Sequence, residues 1–403
     1  MDIKYFNLNQ KELAIENKPI SEIYSHLGDS PFFIYSKKVL MEKINFLRKY
    51  LPNEVKLHYA IKANPNIEVI QFLSSYVDGF DVSSINELTK CLTTNIKKND
   101  ISFAGPGKND QEIEYAIANE ILINVESFNE LKRIELAQVK TNKKARIALR
   151  INPDFDMKTS GMKMSGGSKV FGIDSEQIPE ILNYIYSREL NLEGFQIYTG
   201  SQNLNTKVLC EAQEKSALLL ISLKPHIKKQ IRSINLGGGF GIPYFKDDKE
   251  LDLIPIKENL SSINKRLTAE FGKIEIIIEL GRYLVGESGI YVAKVIDKKV
   301  SRGQTFIILN GGMNHHLAAS GNLGQVIKKN YPIYNLTNLN SNLPEIVNIT
   351  GPLCTPLDQL AYQITIDQCR IGDLIGVFQS GAYGFSASPI NFLSHPHPKE
   401  ILV

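Results

Sequence analysis

Lys62 lies in the stretch HYAIKANPN, residues 58–66, where an amine follows an apolar run and precedes a turn. The apolar run predicts a buried strand, and Asn64, Pro65 and Asn66 favour a turn, so Lys62 falls near the C-terminal end of that strand. A buried lysine is rare unless it is paired or used chemically. Lys62 is therefore either a side chain that reaches from a strand end to water or a reactive amine, because a lysine amine can bond covalently to a carbonyl compound.

Two later segments carry groups that suit a phosphorylated carbonyl compound. NLGGGFG, residues 235–241, places three glycines at a strand end, where their N–H groups can close around an anion or make an ordinary tight turn. ELGR, residues 279–282, follows the apolar run IEIII. Glu279 is either half of a structural ion pair or the partner of a cationic ring nitrogen, which a carboxylate keeps protonated.

The elements that must position these groups form a regular series of strands and amphipathic stretches. This α/β pattern predicts a (β/α)₈ TIM barrel, with an open doubly wound sheet as the alternative. In such a barrel the chemistry lies at the C-terminal ends of the strands. The eight predicted strands begin at Lys56, Gly79, Ile101, Leu122, Ala145, Leu192, Ser233 and Ile274.

The pattern changes after about residue 285, where short β-like runs are joined by turns. These runs predict a C-terminal antiparallel β domain. The predicted division places the barrel at residues 30–282 and the β-rich domain at residues 1–29 and 283–403.

Composition excludes several classes of function. The 403 residues contain 46 basic and 43 acidic side chains, a net charge of +3, without the basic excess typical of nucleic-acid-binding domains. Apolar runs are shorter than the roughly 18–20 residues of a membrane span, and the N-terminus lacks an apolar signal core. Four widely spaced cysteines indicate a reducing compartment, so a cytoplasmic location is expected. The histidine spacing predicts no metal site.

Seven motifs occur in one order along the chain: YAIKAN, GFDVSSINEL, GPGK, INLGGGFG, ELGR, GPLCTPLD and SGAYG. In these motifs the sequence resembles the fold-type III pyridoxal-phosphate (PLP) decarboxylases, the group of diaminopimelate, ornithine and arginine decarboxylases. The resemblance runs from about residue 30 to the C-terminus. It implies an enzyme that removes the α-carboxylate of an amino acid, uses PLP as cofactor and forms a homodimer with shared active sites.

The resemblance also implies roles for individual residues. Lys62 would hold PLP covalently, Glu279 would face the pyridine nitrogen, and Cys354 would protonate the carbanion from the partner subunit. The structural alternative for Cys354 is a small buried apolar side chain. The other residues predicted to bind the cofactor are Asp81, Tyr198, Ser201, Gly237, Gly238, Gly239, Gly281, Arg282 and Tyr383.

Three departures from the family pattern bear on the ring and the substrate. Tyr198 stands where the family usually has a histidine on the cofactor ring, and a tyrosine can stack equally well. The neutral Thr355 follows Cys354 where relatives acting on diamino acids carry an acidic residue. The segment HHLAASGN, residues 315–322, lacks the arginine that diaminopimelate decarboxylases use. Because an unpaired buried charge is costly, these departures argue against diaminopimelate, ornithine and lysine.

The segments GGMNHHLAASGN, GPLCTPLDQLA and SGAYGFSASPINFLSHPHP resemble a narrower branch of specialised pathways. That branch comprises siderophore decarboxylases, exosortase-associated decarboxylases and the butirosin-type enzyme that acts on glutamate tethered to an acyl carrier protein. It implies a long or carrier-bound substrate. The predicted substrate-side residues are Asn314, His315, Thr355 and Asp358, of which Asp358 also suits structural pairing.

Three alternatives stay open at this point. The first is a diaminopimelate decarboxylase of lysine biosynthesis. The second is a racemase on the same fold, although such racemases face the ring nitrogen with arginine, so that Glu279 favours decarboxylation. The third is a non-catalytic relative, against which the chain retains both Lys62 and Cys354.

Overall fold

The computed structural model describes residues 3–155, 162–163, 165–323, 325, 328–341 and 343–403. The chain divides into two compact units. The barrel unit comprises Lys43–Ile242 and Lys249–Tyr283, and the β unit comprises Met1–Glu42, Pro243–Asp248 and Leu284–Val403. The domain boundaries expected from the sequence stay a prediction.

The described residues form twenty-one strands, numbered in chain order. They are β1 (Ala14–Ile15), β2 (Lys18–Pro19), β3 (Phe32–Tyr35), β4 (Val55–Ala60), β5 (Gly79–Val82), β6 (Ile101–Phe103), β7 (Leu122–Val125), β8 (Arg146–Asn152), β9 (Met162–Lys163), β10 (Ile173–Asp174), β11 (Asn191–Gln196), β12 (Gly200–Ser201), β13 (Ser233–Gly238), β14 (Glu275–Leu280), β15 (Gly289–Ser301), β16 (Gln304–Leu309), β17 (Ile333–Asn335), β18 (Pro344–Thr350), β19 (Gln359–Asp367), β20 (Leu374–Val377) and β21 (Lys399–Leu402).

Ten α-helices occur in the same described part of the chain. They are α1 (Ile20–His26), α2 (Lys37–Tyr50), α3 (Ile67–Leu73), α4 (Ile85–Cys91), α5 (Asp110–Ala118), α6 (Phe128–Thr141), α7 (Ile178–Ser187), α8 (Thr206–Ser222), α9 (Ile254–Phe271) and α10 (Arg282–Val285).

The barrel unit is a closed barrel of eight parallel strands in the order β4, β5, β6, β7, β8, β11, β13 and β14. Closure is made by β14 against β4, with Ile276 opposite Val55. The predicted (β/α)₈ barrel is therefore confirmed, and the open sheet is wrong. Each strand begins within one residue of its predicted start, because strands buried on both faces are continuous apolar runs.

Polar N-cap residues fix where the barrel helices begin, and hence where the loop after each strand ends. Asn66, Ser84, Asn109, Ser127 and Asn205 accept hydrogen bonds from backbone N–H groups in the first turns of α3, α4, α5, α6 and α8. Such caps satisfy N–H groups that have no partner within the helix. Each loop between strand and cap is therefore held at both ends.

The β unit contains a sheet ordered β17, β20, β15, β16, β18 and β19, with β3 paired to β15 and β21 paired to β3. The predicted fold class is confirmed, but the sheet is mixed rather than purely antiparallel. The pairs β16–β18 and β21–β3 are parallel. The described residues contain no helix long and apolar enough to span a membrane.

Candidate active site

A cavity of about 470 Å³ lies at the C-terminal ends of the barrel strands. It brings together four of the residues predicted to bind the cofactor: Lys62, Asp81, Tyr198 and Glu279. The same wall contains the loop after β6, which carries the GPGK motif. The larger side chains of the wall to which no role was assigned from the sequence include those of Lys108, Glu112, Arg150, Phe171 and Gln196.

Lys62 reaches the cavity from a single 3₁₀ turn, Ile61–Ala63, that follows β4. The turn is closed by the Asn64 N–H, which donates to the Ile61 carbonyl at 3.0 Å. Beyond it, the Tyr59 hydroxyl donates to the Asn64 carbonyl at 2.9 Å. The Lys62 Nζ lies 5.5 Å from the centre of the Tyr198 ring. The amine is thus half-buried beside an aromatic face.

Glu279 lies in β14 and is only 5 % exposed. Its Oε2 accepts hydrogen bonds from Gln196 Nε2 at 2.9 Å and from Asn235 Nδ2 at 3.4 Å. Burial raises the pKa of Glu279 and the Asp81 carboxylate raises it further, while Lys62 and Arg150 oppose the rise, so that the pKa is about 7. A carboxyl group with this pKa gains and loses a proton near neutral pH.

Asp81 is held from two sides inside the barrel. Its Oδ1 accepts a hydrogen bond from the Ser102 hydroxyl, and its Oδ2 lies 3.2 Å from His58 Nδ1. The Asp81 side chain is 4 % exposed. These contacts fix the carboxylate in the cavity wall.

Arg150 and Glu126 form a buried ion pair beside the cavity, with Arg150 Nη1 3.0 Å from Glu126 Oε1. The Glu126 carboxylate also accepts from the N–H of Gly105 at 2.5 Å and from that of Gly172 at 3.2 Å. The Arg150 guanidinium lies 5.0 Å from the centre of the Phe171 ring. The pair thereby ties two loops to the cavity wall.

The three-glycine segment lies next to Glu279, because Gly238 is opposite Glu279 in the β13–β14 pair. A Cβ on Gly238 would collide with the Glu279 carbonyl oxygen, and one on Gly237 would lie 2.8 Å from the Ile197 carbonyl oxygen. Gly237 and Gly239 also have φ of +67° and +77°, which favours glycine. Bare backbone is therefore required here for strand packing as well as for any anion.

The remaining barrel residues predicted to bind the cofactor are not among those that line the cavity. A Cβ on Gly281 would lie 2.9 Å from the Cβ of Ala63, the neighbour of Lys62. Ser201 ends β12, and its buried Oγ has no hydrogen-bond partner among the described residues. Arg282 begins α10.

The β unit holds the other predicted residues. Cys354 is exposed in the segment between β18 and β19, and Thr355 follows it. Asp358 is buried, and its two carboxylate oxygens accept hydrogen bonds from the N–H groups of Met313 at 2.6 Å and Leu353 at 2.8 Å. Asp358 therefore joins the GGMN segment to the cysteine loop, and these contacts favour a structural role.

Tyr383 lies in a strained segment of the β unit. Its φ is +54°, and that of Gln379, four residues earlier, is +61°. Non-glycine residues in this region of φ are uncommon and cluster at functional sites. The strain is consistent with a functional role for the SGAYG motif.

Asn314 and His315 are both buried in the β unit. The His315 ring contacts the Tyr291 hydroxyl through Nδ1 at 2.9 Å and the Pro396 carbonyl through Nε2 at 2.9 Å. Burial lowers the pKa of His315 to about 4. The Asn314 amide is fully buried, and neither its Oδ1 nor its Nδ2 has a hydrogen-bond partner in the described part of the chain. Within that part, no three His, Cys, Asp or Glu side chains come together as a metal site.

The residues present fit the cofactor that the resemblance implies. Lys62 supplies an amine for an aldehyde, and Glu279 supplies a carboxyl group that can pair with a ring nitrogen. The buried, unpartnered hydroxyl of Ser201 and the bare backbone of the glycine segment suit a phosphate.

Sequence reasoning did not assign roles to Gln196 and His58. Gln196 lies two residues before Tyr198, and strand alternation places such residues on one face, so it could have been found from the pattern. His58 carries no such signal, because its partner Asp81 is 23 residues away on the next strand.

Comparison with known proteins agrees with this geometry. The family model described as the pyridoxal-binding domain of pyridoxal-dependent decarboxylases matches residues 37–286. The chain is 36% identical to an L-glutamyl-[BtrI acyl-carrier protein] decarboxylase from Niallia circulans, covering 98% of this chain and 92% of that protein. It is 33% identical to a diaminopimelate decarboxylase from Aquifex aeolicus, covering 99% and 92%.

Among solved structures, the chain resembles a diaminopimelate decarboxylase from M. jannaschii in complex with L-lysine. The TM-score is 0.88 at 26% identity, and the match covers 99% of this chain and 93% of that one.

Proposed function

The chain belongs to the pyridoxal-dependent decarboxylases, and from that premise we propose that its substrate is an amino acid whose distal end is uncharged or conjugated. The first candidate is an amino acid linked to a carrier protein. As a member of this family the chain is a PLP-dependent carboxy-lyase acting on an amino acid.

The observation that carries the substrate proposal is the state of the titratable groups in the two segments expected to face the substrate. The pKa of His315 is about 4 and that of His316 about 3, in both cases lowered by burial. His316 Nε2 also contacts the Ser380 hydroxyl at 2.8 Å. Both imidazoles are therefore neutral near pH 7, and neither offers a positive charge to a distal carboxylate.

The acidic group in the same segments, the Asp358 carboxylate, is also already bound within the protein. The Asp358 carboxylate accepts from two backbone N–H groups, and Thr355 is neutral. A distal ammonium group would consequently lack an acidic partner in these segments. Because a desolvated charge without a partner is costly, the contacts favour a neutral or extended distal group.

The named activities of the relatives are compatible with more than one substrate. The Niallia circulans relative acts on a carrier-linked glutamyl group, whereas the Aquifex aeolicus relative is a diaminopimelate decarboxylase. Their identities to this chain differ too little to choose between them. Diaminopimelate is therefore the second candidate, and a citryl-conjugated amino acid of siderophore assembly is a third.

PLP, when bound, supplies an electron-accepting ring that stabilises the charge left as CO₂ departs. In our proposal Lys62 holds the aldehyde group of PLP, and Asp81 positions the amine of Lys62. Glu279 and Tyr198 hold the ring. Ser201, the glycine segment, Gly281, Arg282 and Tyr383 hold the phosphate. Glu279 keeps a proton on the ring nitrogen, and Gln196 orients the Glu279 carboxylate.

Cys354 is the proposed proton donor to the carbon that loses CO₂. We propose that this exposed thiol acts in the active site of a partner subunit, so that the functional form is a homodimer. A cytoplasmic location remains part of the same proposal.

The test is CO₂ release by the purified, PLP-loaded protein from four substrates: glutamate on a phosphopantetheinylated carrier protein, free L-glutamate, meso-diaminopimelate and a citryl-diaminopropionate conjugate. We expect kcat/KM for a conjugated substrate to exceed that for diaminopimelate by at least about 100-fold, since a site without a partner for a charged group rejects it. Lys62→Ala is the control and should release no CO₂ from any of them. Diaminopimelate as the fastest substrate would overturn the proposal.

A further inference from the structure

A row of polar side chains crosses the inside of the barrel. It comprises His58, Asp81, Ser102 and Asn124, which lie on the neighbouring strands β4 to β7. His58 Nδ1 is 3.2 Å from Asp81 Oδ2, the Ser102 hydroxyl donates to Asp81 Oδ1, and Asn124 Nδ2 donates to Ser102 Oγ at 3.1 Å. All four are buried, and Asp81 also lines the active-site cavity. The row therefore connects the barrel interior to the site.

Strand register places His58 between two carboxylates. In β14 its opposite residue is Glu279, and in β5 its opposite residue is Gly79, two positions before Asp81. A Cβ on Gly79 would collide with the His58 ring. Gly79 thus provides the space in which the imidazole reaches Asp81.

The charges around His58 come from every strand packed against it. Asp81 and Glu279 face it from β5 and β14, and Asp100 lies just before β6. A small cavity of about 20 Å³ beside His58 is also lined by Arg232 and Glu275, and Arg232 pairs with Asp100 at 2.7 Å and with Glu275 at 3.2 Å. The positive charge of Arg232 is therefore already engaged.

This environment favours a charged imidazole. Burial opposes the charge, but the nearby carboxylate of Asp81, together with those of Glu279 and Asp100, outweighs burial and raises the pKa of His58. The volume of the small cavity is about that of one water molecule. The side chains of His58 and Asp81 are only 7 % and 4 % exposed, so bulk solvent does little to screen the pair.

We propose that His58 is a positioning residue of the active site, whose imidazolium holds the Asp81 carboxylate in the cavity wall and offsets the negative charge that Asp81 imposes on Glu279. The proposal does not depend on the identity of the substrate. It rests on the assignment of Lys62 and Glu279 to the cofactor, and part of its test needs no cofactor.

The consequence is a defined pH dependence. Without the imidazolium, one positive charge fewer would lie near the Asp81 and Glu279 carboxylates in the barrel interior. A nearby like charge disfavours ionisation of a carboxyl group, so the ionised form of Glu279 would be reached only at higher pH. A histidine that merely filled space would have no such effect.

The first measurement is the thermal midpoint of the apoprotein, Tm, from pH 5 to 9. The variants are His58→Asn, whose amide retains a donor near the position of Nδ1 but no charge, and His226→Asn as a control at an exposed histidine. Because the pKa of His58 is raised on folding, its stabilisation is fully present below its unfolded pKa and is lost as pH rises through the folded pKa. We therefore expect the Tm difference between wild type and His58→Asn to be largest near pH 6 and to shrink towards pH 9. A difference that does not vary with pH would overturn the proposal.

The second measurement is the pH profile of kcat for the PLP-loaded proteins. We expect the acidic limb to move up by about one pH unit in His58→Asn, to return towards wild type in the charge-retaining His58→Lys, and to stay in place in His226→Asn. If His58→Asn does not fold, His58→Gln is measured in its place. An unmoved limb in a folded variant would overturn the proposal. The two measurements separate two kinds of failure. A Tm difference that does not vary with pH would contradict the His58 ion pair, whereas a pH-dependent Tm difference with an unmoved acidic limb would contradict the assignment of Glu279 to the cofactor.

Discussion

Glu279 shows how a single residue acquires its chemistry from its surroundings. The side chain follows three isoleucines in β14 and is buried, which by itself would favour the neutral acid. Gln196 donates to it, and Lys62 and Arg150 oppose the rise in its pKa. The resulting pKa of about 7 leaves the group able to hold a proton on a ring nitrogen at neutral pH.

Replacement of Glu279 by glutamine tests that role at the residue scale. Glutamine has nearly the same shape but cannot ionise, so we expect kcat to fall by roughly 100- to 1000-fold, the typical effect of removing a group that stabilises developing charge. PLP should remain bound, because Lys62 is intact, and its absorbance reports this. Glu270→Gln, at an exposed position of α9, is the matched control and should leave kcat unchanged. Unchanged turnover in Glu279→Gln would contradict the assignment.

At the scale of elements, the sequence predicted what depends on local pattern. The eight barrel strands were found because each is an apolar run bounded by turn residues, and Lys62, Asp81 and Glu279 were correctly expected at strand ends. The contacts that depend on register were not found. His58 meets Asp81 because of the register between β4 and β5, and Asp358 meets Met313 because the segments that follow β18 and β16 lie side by side. The parallel pairs β16–β18 and β21–β3 were missed for the same reason.

The glycine segment provides the prediction at this scale. In Gly238→Ala the new Cβ would meet the Glu279 carbonyl oxygen and lie 2.7 Å from Leu280 Cδ2, and backbone cannot move aside as a side chain can. We expect the free energy of unfolding of the apoprotein to fall by about 1–3 kcal/mol, as for other overpacked sites, and PLP affinity to fall with it. Denaturant unfolding and cofactor titration measure the two effects.

The matched control is Gly107→Ala, since a Cβ there would meet nothing within 4 Å. Its free energy of unfolding should stay within about 1 kcal/mol of wild type. Equal stability of the two variants would show that β13 and β14 separate easily, and would remove the packing argument for Gly238.

At the scale of the whole molecule, the proposed chemistry is divided between two units. Lys62, Asp81 and Glu279 belong to the barrel unit, and Cys354 and Tyr383 belong to the β unit. Cys354 is exposed in the single chain, which suits a thiol that completes the site of another copy. If Cys354 acts across subunits as proposed, the homodimer is a requirement of catalysis.

Mixing two inactive variants tests the shared site directly. Lys62→Ala and Cys354→Ala should each be inactive as homodimers. After the two are mixed one to one and allowed to exchange subunits, half of the dimers carry one of each, and each such dimer has one intact site out of two. We therefore expect about a quarter of wild-type activity, as the symmetry of a two-fold dimer dictates. Subunit exchange is confirmed by mass spectrometry of tagged chains, and a mixture of two differently tagged Lys62→Ala proteins is the control. If mixed dimers form and stay inactive, Cys354 does not act across subunits.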